Sequence, residues 1–207
     1  MIDDITACSN LEVFEYQHDN NAIWGESYID FYPFLFYNAS SMQKHSLREL
    51  RLNNKGEFRP VDIDDEGDLN TFGYLIEFHQ LRELRIPTRT LLQFGSNDQP
   101  RVSLLEILPP SLEYLNLAYC REEDFDIIIR NLRSMLAKRE KQFLNLKRLE
   151  IGPDVLEMNP GAEYYHSTNF AVPESTQQSF ASIQLVCREM GIQFGFRKDG
   201  DCTIRNW

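Results

Sequence analysis

The chain has 207 residues, 42% of them hydrophobic and 26% charged, so it is long and apolar enough to bury a core without disulfide or metal staples. Its formal net charge of −11 repels a nucleic-acid backbone or an anionic membrane surface, and neither is expected as a partner. Cys8, Cys120, Cys187 and Cys202 show neither C-x-x-C pairing nor zinc-like spacing, the opening Met1-Ile2-Asp3-Asp4-Ile5 is acidic where a signal peptide is basic, and no apolar run approaches ~18 residues. A cytoplasmic or nuclear location follows as the expectation.

In chain order, Leu11-Glu-Val-Phe14-Glu-Tyr16 alternates with period two and predicts a short strand. A helical stretch from Tyr28 to Ser41, interrupted by Pro33, leads to a second strand at Leu47-Arg-Glu-Leu50-Arg-Leu52. A short helix over Leu69 to Phe78 precedes Leu81-Arg-Glu-Leu84-Arg-Ile86, and another over Leu104 to Leu108 stops at Pro109-Pro110 before Leu112-Glu-Tyr-Leu115-Asn-Leu117. The clearest helix places Phe125, Ile128, Ile129, Leu132 and Leu136 on one face, with Glu122-Glu123-Asp124 at its favourable N-terminal end. The basic cluster Lys138-Arg139-Glu140-Lys141, continuing to Lys147-Arg148, reads as a solvated helix end before Leu146-Lys-Arg-Leu149-Glu-Ile151. A last helix, Ser175 to Met190, leads through Gly191 into a sixth strand at Ile192-Gln-Phe194-Gly-Phe196. Lys198-Asp199-Gly200-Asp201 then turns into a closing segment ending at Trp207.

Five of these strands share the pattern L-x-x-Φ-x-Φ, with Φ a large apolar or aromatic residue. Their first leucines, Leu11, Leu47, Leu81, Leu112 and Leu146, are separated by 36, 34, 31 and 34 residues. A strand followed by a helix at a fixed period builds parallel strands with helices outside. The fold class expected is therefore α/β: a leucine-rich-repeat solenoid over residues 1–207, with about five to six repeats and strands on its concave face. The ninth slot of such a repeat usually holds Asn or Cys. Here it holds Asp19, Lys55, Arg89, Cys120 and Asp154, so irregular turns are expected.

With the fourth and sixth positions buried, the third and fifth face outward. The third row reads Val13, Glu49, Glu83, Tyr114, Arg148, and the fifth reads Glu15, Arg51, Arg85, Asn116, Glu150. Two readings stand side by side. The charges pair across neighbouring strands and are structural, or the rows bind a protein partner, with Glu49, Arg51, Glu83, Arg85, Tyr114, Asn116, Arg148 and Glu150 as the candidate site.

The phrases Ser9-Asn10-Leu11-Glu-Val-Phe14-Glu-Tyr16, Phe72-Gly73-Tyr74-Leu75-Ile76-Glu77-Phe78, Leu108-Pro109-Pro110-Ser111-Leu112, Phe143-Leu144-Asn145-Leu146 and Cys187-Arg188-Glu189-Met190-Gly191-Ile192 resemble the C-terminal repeat region of fungal F-box-like leucine-rich-repeat proteins. The resemblance implies the substrate-holding part of a ubiquitin-ligase receptor. The ten residues before Leu11 are too few for an F-box, so a trimmed repeat domain or a relative without the recruiting half is expected, and a cullin-type ligase is implied as partner only if an F-box lies upstream in a longer chain. A stand-alone scaffold or interaction protein is the alternative.

No catalytic activity or cofactor is expected: the nucleophile-elbow, P-loop and dinucleotide motifs are missing, and His18, His45, His79 and His166 show no ligand spacing. Asp62-Ile-Asp64-Asp65-Glu66-Gly67-Asp68 begins like a calcium loop, but Gly73 stands at the twelfth position, where a bidentate carboxylate is needed. Millimolar calcium should therefore leave the melting temperature unchanged. A rise of several degrees, abolished by Asp62→Asn with Asp64→Asn, would show that the loop is a site after all.

Overall fold

A computed structural model describes residues 2–18, 33–54, 72–94, 99–153 and 174–196. Six strands, β1 (Val13–His18), β2 (Glu49–Asn54), β3 (Glu83–Pro87), β4 (Tyr114–Cys120), β5 (Arg148–Pro153) and β6 (Gln193–Phe196), form one sheet in sequence order. Every neighbouring pair is parallel. Between them lie α1 (Ile2–Ala7), α2 (Pro33–Ser41), α3 (Thr88–Leu92), α4 (Leu104–Ile107), α5 (Phe125–Ala137), α6 (Arg139–Gln142) and α7 (Glu174–Glu189). This is an α/β repeat fold.

The strand register follows the sequence repeat residue for residue. Val13 pairs with Glu49, Glu49 with Glu83, Glu83 with Tyr114, Tyr114 with Arg148 and Arg148 with Gln193. One backbone device holds it. At each second position a carbonyl accepts two amides from the next repeat: Glu12 from Arg48 and Glu49 (2.7 and 3.1 Å), Arg48 from Arg82 and Glu83 (2.8 and 3.0 Å), Arg82 from Glu113 and Tyr114 (2.8 and 2.9 Å), Glu113 from Lys147 and Arg148 (2.8 and 3.1 Å). The residue before the first leucine adds a side-chain rung. Ser46 Oγ donates to Leu11 O at 3.0 Å and Ser111 Oγ to Leu81 O at 2.8 Å.

Behind the sheet, the first, fourth and sixth positions of β2 to β5 are buried, and they pack with the helices and turns into one apolar cluster. Helix α5 buries the Phe125, Ile128, Ile129, Leu132 and Leu136 stripe expected from its spacing. Helix α7 buries Phe180, Ile183 and Cys187, and Phe180 meets Phe125 and Phe196 edge-on at 5.4 and 5.0 Å, closing the β6 end with aromatic rings.

The structure corrects several details. Of the helix expected over Leu69 to Phe78, the described part forms only a 3-10 turn, Leu75–Glu77. Phe72, Leu75, Phe78 and Leu81 recur every three residues and all are buried, a period that fits three residues per turn better than 3.6. The N-terminal part of the expected Tyr28 to Ser41 helix, the Asp62 loop as far as position 71, His166, Cys202 and the closing segment to Trp207 lie outside the described residues. Helices α1 and α3 carry no clear apolar period in the sequence. Helix α1 is tied down by Gln43, which donates to Cys8 O (2.6 Å) and Ile5 O (3.3 Å) and accepts from Leu11 N (3.1 Å).

Of the five ninth-slot residues, Asp19, Lys55 and Asp154 lie outside the described residues, and the two described turns, at Cys120 and Arg89, differ from each other. Cys120 Sγ lies 3.1 Å from Leu117 O and 3.0 Å from Thr88 Oγ1, satisfying the turn after β4 in the way a regular repeat does. Arg89 instead reaches Asp124 through Nε at 3.0 Å and Nη2 at 3.4 Å. Tyr119, at φ 52°, marks a bulge where the β4–β5 register shifts between Leu117 and Cys120.

Leu84→Ala and Leu115→Ala should each cost about 2–5 kcal/mol, because each leaves a void between two neighbouring repeats. Phe14 is half-buried on the terminal strand against Phe36 (centroids 6.0 Å apart), so Phe14→Ala should cost less. Urea melts with all three equally mild would contradict the register.

Candidate functional site

The third and fifth positions of the repeat lie on the face of the sheet opposite the helices, in two rows set by the strand pairing. All eight residues expected there are brought together. Glu49, Arg51, Glu83, Arg85, Tyr114 and Arg148 are half-exposed. Asn116 and Glu150 were expected outside the core and are instead 1% and 2% exposed. They lie in the same row, but the larger Tyr114 and Arg148 side chains cover them.

Two electrostatic clusters divide this face. On the β1–β3 side, Arg51 gathers three carboxylates: Glu49 Oε2 at 2.7 Å, Glu83 Oε2 at 3.1 Å and Glu15 Oε2 at 3.6 Å. The pairs from Glu83 and Glu15 cross to neighbouring strands while the one from Glu49 lies within β2, and at their exposure each contributes well under about 1 kcal/mol. On the β4–β5 side the carboxylate is buried beneath half-exposed partners. Glu150 accepts hydrogen bonds from the Tyr114 hydroxyl, from Asn116 Nδ2 at 3.1 Å, and from Arg148 through Nε at 3.0 Å and through Nη2. The Arg148 guanidinium also lies over the Tyr114 ring, 4.8 Å from its centroid.

Burial alone would push the Glu150 carboxyl up. The hydrogen bonds from Tyr114, Arg148 and Asn116, with the Arg148 charge, outweigh that cost and hold it below the ordinary glutamate value. Both oxygens are thereby occupied, and Tyr114 and Arg148 are fixed as a rigid pair.

Between the clusters the surface dips into an open groove of about 390 Å³. Arg51, Glu83, Arg85, Tyr114 and Arg148 line it, joined by Glu15, Glu113 and Lys147. The last two come from the second position of the repeat, which was not counted among the candidate residues. Its column of Glu12, Arg48, Arg82, Glu113 and Lys147 is charged in all five repeats and was legible as such. Lys147 Nζ sits 2.5 Å from Glu113 Oε2, and Arg82 approaches Glu113 at 3.6 Å.

His45 and His79 do not line the groove. His45 and His79 fall in the loops before β2 and β3. Among the described residues, no three His, Cys, Asp or Glu side chains gather into a group that could hold a metal ion, and no helix is long and apolar enough to cross a membrane.

A carboxyl held lower in the folded than in the unfolded chain contributes stability above its unfolded value, near ~4.3, and loses it as pH falls through the folded value. Glu150→Gln should therefore cost about 1–3 kcal/mol at pH 7, where it removes a charge-assisted network. Between pH 6 and pH 3 its melting temperature should fall less than that of the unsubstituted protein. Parallel acid limbs for the two proteins would show that Glu150 is not held ionised.

Sequence comparison adds to this geometry. A model of the leucine-rich repeat domain matches residues 2–162. No match was found among curated proteins or among solved structures. The match covers more than half of the chain and spans β1 to β5, the strands that build the groove, and the chain therefore belongs to the leucine-rich repeat domain family, whose domains generally mediate protein–protein interaction and are typically non-catalytic.

Proposed function

We propose that the chain is a protein-interaction module that takes its partner on the strand face, with Glu49, Arg51, Glu83, Arg85, Tyr114 and Arg148 as the contact surface and Asn116 and Glu150 as its buried support. The observation that carries this reading is the groove at the centre of that face, bordered by a Tyr–Arg pair already ordered before any partner arrives. Pre-ordering lowers the entropic cost of binding, and tyrosine and arginine are the residue types most often found as anchors. In a solenoid this face is the concave one.

The resemblance to F-box-like repeat proteins extends the reading: the partner is a degradation substrate, and a cullin-type ligase is engaged when an F-box lies upstream in a longer chain. A cytoplasmic or nuclear setting suits this role. Co-precipitation of the full-length parent protein with a cullin complex checks the extension. Failure there leaves a scaffold or interaction protein unrelated to ubiquitin transfer.

Arg85→Ala and Tyr114→Ala should weaken a partner captured from the source cell, by about 2 kcal/mol or more for at least one of them. Arg130, exposed on α5, is the control, and Arg130→Ala should do little. Tyr114→Phe separates the ring from the hydroxyl that Glu150 needs. Calorimetry on variants with normal melts decides the matter, and loss of binding in Arg130→Ala alone would place the interface on the helices.

A further inference from the structure

The two ends of the sheet are not alike. At the β6 end Phe194 is 6% exposed and packs against the Phe180 ring of α7. At the β1 end Leu11, Phe14 and Tyr16 are only half-buried, although Leu47, Leu50 and Leu52, which hold the same repeat positions in β2, are fully buried. Val13, in the third position, is 49% exposed. Among the described residues β1 pairs with β2 along one edge, and no strand pairs with the other. The strand contains neither the lysine nor the proline that commonly blunts an exposed edge.

The backbone of that edge follows from the register. Val13 pairs with Glu49, and Glu49 N donates to Glu12 O, so the alternation of a parallel ladder turns the Val13 and Glu15 amides away from β2. In β2 to β5 the amide of the third position donates to the second-position carbonyl of the strand before, as Glu49 does to Glu12 and Glu83 to Arg48. A strand laid in parallel register along the open edge would place its own second-position carbonyl against the Val13 amide in the same way.

The side chains select what such a strand carries. Glu12 and Glu15 stand at the second and fifth positions, 47% and 50% exposed, and among the described residues their cations, Arg48 at 3.4 Å and Arg51 at 3.6 Å, both come from β2. Inside the sheet the second-position carboxylate Glu113 has a cation on each side, Arg82 at 3.6 Å and Lys147 at 2.5 Å. A neighbour with basic residues at its second and fifth positions would give Glu12 and Glu15 that same two-sided setting. A second copy of this chain does not supply it. Strand β6 brings Ile192 and Gly195 to those positions, and β1 against β1 sets carboxylates beside carboxylates. The net charge of −11 draws a basic segment toward the edge.

We infer that the open edge of β1 accepts, as a seventh parallel strand, an extended segment of a partner protein with basic residues at its second and fifth positions and large apolar residues at its fourth and sixth. The basic residues meet Glu12 and Glu15, and the apolar ones cover the open sides of Phe14 and Tyr16. Main-chain hydrogen bonds supply the affinity of such an added strand, and its alternate side chains supply the specificity. This edge is a surface of its own, and its occupancy does not depend on what the groove binds.

The test titrates the full chain with the peptide N-acetyl-Ser-Leu-Arg-Thr-Leu-Arg-Leu-amide, and with a counterpart carrying glutamate in place of both arginines, while ¹⁵N spectra follow the β1 amides. The basic peptide should shift Val13 and Glu15 saturably and slow hydrogen exchange at both. A nitroxide on its N-terminus should broaden Glu12 and Val13 more than Tyr16, as a parallel strand requires. Glu12→Gln with Glu15→Gln should weaken it about fivefold, the loss of two half-exposed ion pairs. Val13→Pro removes an amide that faces away from β2, so this variant should melt normally and lose the peptide. Equal or tighter binding of the acidic peptide, broadening greatest at Tyr16, undiminished binding by either variant, or β1 shifts that arise on concentrating the protein alone would overturn the inference. So would a basic peptide that leaves β1 unmoved.

Discussion

One strand register, marked in each repeat by a shared backbone carbonyl, sets the arrangement of this molecule. Glu12, Arg48, Arg82 and Glu113 each accept two amides from the strand that follows, and Lys147 accepts Gln193 N at 2.8 Å. Because a strand alternates its side chains with period two, a slip of one residue would turn every leucine outward and every charge inward. The burial of the leucines forbids that slip, and the shared carbonyl marks the register it leaves. The leucines then stack into a common core on one side, and the charged and polar residues stack into rows on the other.

The rows are what make a site out of a surface. Across the β1–β3 side, exposed glutamates satisfy one arginine and little free energy is at stake. Across β4 and β5, the same register places Tyr114, Asn116, Arg148 and Glu150 around one buried carboxylate. A carboxyl so buried stays ionised only when it is fully paired, so it fixes the side chains that hold it. The groove beside them inherits a rigid wall. Mutational effects there will be mixed, since truncating Tyr114 or Arg148 removes both a contact surface and a support for Glu150.

The strands and their register were legible because the repeat states them five times: Leu11, Leu47, Leu81, Leu112 and Leu146 head the same pattern. Helix α5 was legible from its apolar stripe. The 3-10 turn at Leu75 was not, because its three-residue period is close to the helical one over so short a span. Helix α3 was hidden by Pro87 and two threonines. The rows could be drawn from the sequence, but the burial of Asn116 and Glu150 could not. It depends on Tyr114 and Arg148, one strand apart, reaching over them. Glu113 and Lys147 entered the groove from the second position, whose uniform charge was visible but whose direction depends on how each strand begins.

The central claim is that a partner meets the strand face and not the helices. A photo-crosslinking residue, p-benzoylphenylalanine, placed at the exposed position 82 beside the groove in one variant and at position 130 in another, tests it most directly in lysate of the source cell. The account predicts a discrete adduct from position 82, competed away by unlabelled unsubstituted protein, and none from position 130. An adduct formed from position 130 alone would contradict it.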